Sequence, residues 1–82
     1  MNNEKLPIEE IPNLETRFVL IYIYAKGVVI KIPSCFLPSE EIAKVIHVKN
    51  KHRYGNKKLN SCYVVDYKDG IEGTEKICVY KS

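Results

Sequence analysis

The sequence predicts an α+β domain, a small antiparallel sheet of about four strands with one short helix, in the order ββαββ. Three observations carry this. Residues 16–24 and 28–32 form two β-branched and aromatic runs split by the turn Ala25-Lys26-Gly27. Ser39-Glu40-Glu41 reads as a helix start, with a capping hydroxyl followed by carboxylates at the positive end of the helix dipole. Residues 61–68 and 74–80 repeat the strand pattern around Asp69-Gly70, with Gly73 expected to close the turn. The alternative is a small all-β barrel. In it residues 39–48 are largely extended, because Ile42, Lys44, Ile46 and Val48 also alternate.

Residues 1–15 form an N-terminal arm, and 16–82 the domain proper. Pro7 and Pro12 limit any helix in the arm to about one turn, since proline cannot continue the hydrogen-bond ladder. Leu6, Ile8, Ile11 and Leu14 are apolar, so the arm is expected to lie along the domain and bury some of them; the competing reading is a docking peptide. Thr16 to Tyr24 is apolar on both faces, as a central strand covered on both sides would be. Val19, Ile21 and Ile23 point one way, and Phe18, Leu20, Tyr22 and Tyr24 the other. Pro33 ends the second strand. In the helix, Ile42, Val45 and Ile46 fall on one face at i, i+3 and i+4.

Composition narrows the class. Eighty-two residues make one domain, and a 45% hydrophobic share with ten isoleucines suffices for one core. The three cysteines, Cys35, Cys62 and Cys78, are odd in number and widely spaced. They read as free thiols in a reducing compartment, with a Cys62–Cys78 bridge between neighbouring strands as the alternative. The first residues lack a signal-peptide pattern, and the longest apolar run, 18–25, is far short of a bilayer span. A soluble, cytoplasmic protein with no membrane contact is expected. Ile, Lys, Asn and Tyr are heavily used and Lys outnumbers Arg eleven to two, which points to an AT-rich genome; small proteins of this kind are common in phages and mobile elements.

No catalytic set is expected. Cys35, His47 and Asp66 are the nearest approach to a nucleophile, base and orienting group, and their spacing matches no signature. His47, His52 and Cys62 lack the short paired spacing of structural zinc sites, so no metal is expected either. The glycines at 27, 55, 70 and 73 are scattered, with no phosphate-cradling loop and no cofactor motif.

Two features point to binding. Residues 49–58 carry Lys49, Lys51, Arg53, Lys57 and Lys58, with Tyr54 among them and no acid. Such a loop is either a solvated, solubilising segment or a surface for phosphates and acidic groups. If the helix covers the Val19/Ile21/Ile23 face, the other face presents Tyr22 and Tyr24, joined by Tyr63 and Tyr67 from the third strand and Tyr80 from the fourth. An aromatic sheet face of that kind marks an interaction site unless the arm or barrel closure covers it. The sequence therefore predicts a non-enzymatic protein–protein interaction module, an inhibitor or regulator of a larger macromolecule, with a second copy of the chain as a further candidate partner. A nucleic-acid-binding module using the basic loop 49–58 is the alternative.

Overall fold

The computed structural model describes residues 9–50 and 58–82. It contains strands β1 (Phe18–Tyr24), β2 (Val29–Ser34), β3 (Leu59–Lys68) and β4 (Ile71–Lys81), with helix α1 (Glu40–Lys49) between β2 and β3. A single 3-10 turn, Ala25–Gly27, joins β1 to β2. The sheet is antiparallel throughout, in the order β2-β1-β3-β4, and its edges are not joined, so it does not close into a barrel. Residues 40–49 are helical rather than extended.

Local chemistry explains the boundaries. The Ser39 hydroxyl accepts the Ile42 N–H at 3.3 Å and so caps α1, while Glu40 and Glu41 occupy the first turn. Lys44 lies one turn on and pairs with Glu40 at 3.0 Å. Lys68 and Ile71 face each other across Asp69-Gly70, with φ of 53° and 79° at the two turn residues. That double left-handed geometry suits the twist of a two-residue hairpin. β4 therefore starts at Ile71, earlier than the expected Thr74, and Gly73 lies within the strand. Gly73 sits where β4 bulges against β3, between the Val65–Lys76 and Tyr67–Glu72 pairs, over Asp66.

The helix covers the opposite face of the sheet from the one expected. Leu20, Tyr22 and Tyr24 of β1, Ile30 of β2, and Cys62 and Val64 of β3 form the main core with Ala43 of α1. Tyr22 is 0% exposed. Its hydroxyl donates to the Ala43 carbonyl at 2.7 Å, and the Tyr24 hydroxyl is hydrogen-bonded to His47 Nδ1 at 2.8 Å. A buried phenol needs such a partner, because its hydroxyl loses water on burial. The spacings match: residues two apart on a strand are about 6.7 Å apart, and residues four apart on a helix rise about 6 Å. The two tyrosines, with ring centroids 6.4 Å apart, thus grip α1 at two points one turn apart.

Val19, Ile21 and Val65 form a second, smaller cluster on the other face, flanked by Ile23, Val29, Tyr63 and Tyr67. Lys31 of β2 reaches Glu72 of β4 at 3.3 Å and Glu9 at 3.9 Å. β1 and β3 lie between those two edge strands, so the pair spans the sheet, whose twist brings the two edges towards each other over this face. Glu9 pairs with Lys31 in a parallel bridge, and the Glu10 N–H donates to the Lys31 carbonyl at 3.0 Å. Ile11 and Leu14, expected to bury against the domain, stand in solvent; Leu6 and Ile8 lie outside the described residues.

Replacing Tyr22 by Phe keeps the ring and removes the donor to Ala43. The expected loss is about 1–2 kcal/mol of unfolding free energy, with unchanged secondary structure. Urea denaturation followed by circular dichroism measures it, and an unaltered midpoint would show that the hydroxyl does not hold the helix.

Candidate functional site

The buried side of α1 is Ala43, Ile46 and His47, four residues or fewer apart. On a 3.6-residue period this turns Val45 and Val48 to the outside, and they are 62% and 66% exposed. Val45 was expected on the buried face with Ile42 and Ile46. Only Ile46 of the three packs on the main core, because Ala43 is small enough to bring the helix axis close to the tyrosines and takes the central position. Lys44, Val45, Val48 and Lys49 form a nearly wholly apolar patch on the outer surface of the helix. Phe36 and Leu37, in the connection leading into α1, are exposed as well. Apolar residues are common singly on protein surfaces, but two valines one turn apart on the outside of a short helix form a ridge.

A second concavity, of about 340 Å³, lies between α1 and the sheet, lined by Lys44, His47, Val48, Lys58, Leu59 and Tyr80. The Lys44 ammonium stands 5.2 Å from the centre of the Tyr80 ring. Lys49 closes α1 and Lys58 immediately precedes β3, so both described ends of the basic segment lie on the helix side of the sheet. Lys51, Arg53, Tyr54 and Lys57 lie outside the described residues.

The five tyrosines do not share a face. Tyr22 and Tyr24 are core residues beneath α1, and Tyr80 packs at the edge of that core. Tyr63 and Tyr67 belong to the opposite face and are half-buried beside Ile21 and Val65. The register Tyr22–Cys62 and Ile21–Tyr63 decides this, and a one-residue shift in pairing would reverse it. The single aromatic platform read from the sequence is therefore absent.

Cys35, His47 and Asp66 are not brought together. His47 bonds to Tyr24 at one end of β1, whereas Asp66 pairs with Phe18 at the other. Six residue steps along the seven-residue strand separate those ends, about 20 Å. Among the described residues no three His, Cys, Asp or Glu side chains are grouped so as to hold a metal ion. A wider concavity of about 730 Å³, between Asn13–Arg17 and the β3–β4 turn, is shallow and mixed in polarity. No helix of the described residues is long and apolar enough to cross a membrane. Comparison with known protein families, with curated proteins and with solved structures finds no match to this chain.

All three cysteines are free thiols. Cys62 and Cys78 are not opposite one another: Cys62 faces Tyr80, and Cys78 faces Tyr63. Burial pushes the Cys62 thiol up from 9.0 to about 12, with a hydrogen bond to Tyr22 pulling the other way. Cys35 and Cys78 are exposed. A thiol reagent at neutral pH should therefore modify Cys35 and Cys78 fast and Cys62 only on unfolding, read by intact mass. The Cys62 contribution to stability is complete below pH 9 and is lost as pH rises towards 12, because only the unfolded chain ionises it in that window. Cys62→Ala should flatten the alkaline limb of the stability curve; an identical limb would contradict the assignment.

Proposed function

We propose that this chain is a non-enzymatic protein-binding module whose docking surface is the outer face of α1. The supporting observation is the exposed Val45/Val48 ridge, flanked by Lys44 and Lys49. Exposing branched apolar side chains on a helix costs solubility, and neither valine is among the helix residues packed on the main core, which are Ala43 and Ile46. A partner of matching chemistry presents an apolar groove rimmed by acidic groups. Apolar contact then supplies affinity, and the lysines orient the approach. Occupying such a groove on a larger macromolecule makes the chain a regulator or inhibitor. Its three free thiols suit a reducing compartment such as the cytoplasm.

A second reading rests on the other concavity. Lys44 and Lys58 beside the Tyr80 ring give cation and aromatic together, the combination that binds a nucleic-acid strand, and the basic segment 49–58 begins and ends nearby.

Salt and substitution separate the two. The pair Val45→Asp and Val48→Asp should abolish capture of a protein partner from a nuclease-treated host extract, while the melting temperature stays within about 3 °C because both sites are exposed. Capture that survives both charges removes the helix face from the interaction. For an oligonucleotide, Lys44→Gln with Lys58→Gln should lower the slope of log affinity against log salt by about two units if both lysines meet phosphates. A slope that does not move excludes that groove as a phosphate track.

A further inference from the structure

We infer that the β4 edge pairs with β4 of a second copy, about a two-fold axis at Thr74, extending the sheet across a symmetric dimer. β4 is eleven residues long, and among the described residues nothing pairs with its outer edge. An open edge of this length presents a row of unpaired donors and acceptors.

The register follows from which peptide groups point outward. Lys68 and Ile71 close a two-residue turn and so form a hydrogen-bonded pair. Alternation then turns the backbone of Glu72, Thr74 and Lys76 away from β3. The Tyr67 N–H agrees, since it donates to the Arg17 carbonyl on the β1 side rather than to Glu72 opposite. The bulge inserts an even number of residues between the Tyr67–Glu72 and Val65–Lys76 pairs, so Glu72 and Lys76 keep the same sense on either side of it, with Thr74 midway between them.

Antiparallel pairing centred on Thr74 sets Glu72 against Lys76 of the second copy, and Ile71 against its Ile77. Every pair then joins residues of one sheet face. Glu72 and Lys76 lie on the face of Tyr67 and Val65, and Ile71 and Ile77 on the face of Lys68 and Val64. Opposite charges meet twice by symmetry: Glu72, paired with Lys31 within its own chain, gains a second cation, and Lys76 has no ion pair among the described residues. Ile71 and Ile77, 69% and 53% exposed in the monomer, cover each other. Centring on Glu75 or Lys76 would instead set like charges face to face. The Glu72–Lys76, Thr74–Thr74 and Lys76–Glu72 pairs each exchange two backbone hydrogen bonds across the axis.

Growth stops at two copies. The other sheet edge, β2, carries Pro33 and is crossed at Lys31 by Glu9 and Glu10. It cannot continue the ladder, and the closed two-fold consumes the only matching edge among the described strands.

The test is sedimentation equilibrium of the full chain over a concentration series, with two variants. The wild type should show twice the chain mass at high concentration. Thr74→Pro removes an outward N–H without touching the β3 ladder and should give a monomer with an unchanged circular dichroism spectrum. Lys76→Glu places a carboxylate against Glu72 at both symmetric positions and should raise the dimer dissociation constant about tenfold or more. A wild type of single-chain mass through about 1 mM overturns the proposal, as does a dimer indifferent to Lys76→Glu. Should Thr74→Pro unfold, the Lys76→Glu constant alone decides.

Discussion

The structure depends on the grip of two strand tyrosines on one short helix. Ten residues of α1 are too few to be stable alone, because helix nucleation is costly and only a few turns repay it. Tyr22 and Tyr24 supply what is missing. Their rings fill the space between helix and sheet, and their hydroxyls meet a backbone carbonyl at Ala43 and an imidazole at His47. Because the strand and helix repeats nearly coincide at this spacing, both bonds form without straining either element. The same grip sets the rotation of the helix about its axis, and with it the residues that face away.

That rotation links packing to recognition. With Ala43 held against Tyr22, Val45 and Val48 must point outward, and the lysines at 44 and 49 must flank them. Lys44 then stands over Tyr80, and the cationic groove and the apolar ridge share Lys44 and Val48. The two surfaces are two sides of one helix whose orientation is fixed from below.

The uncovered face is managed differently. A four-stranded sheet with one helix leaves half its apolar surface without a layer above it. Here the central residues Val19, Ile21 and Val65 are nevertheless buried, and the Lys31–Glu72 pair spans the edges over them. Coiling the sheet achieves this without closing it, and the consequence is a free edge at β4. Partly exposed ion pairs contribute little to stability, about 0–1 kcal/mol, so this one acts mainly by geometry.

Strands, hairpin turns and the helix cap were legible locally. Each rests on contacts within a few residues, such as Ser39 capping Ile42 or the left-handed pair Asp69-Gly70. The faces were not. β1 is apolar on both sides, so its pattern is indifferent to which side the helix takes. Burying Tyr22 and Tyr24 required partners that only the tertiary structure brings, Ala43 and His47, some twenty residues away in sequence. The register of β3 against β1 was equally silent, since Cys62-Tyr63-Val64-Val65 alternates acceptably either way. Sequence determined what the elements are, because local hydrogen bonds and backbone conformation are short-range. The tertiary structure decided which side of each element is left for a partner, because that depends on long-range satisfaction of buried polar groups.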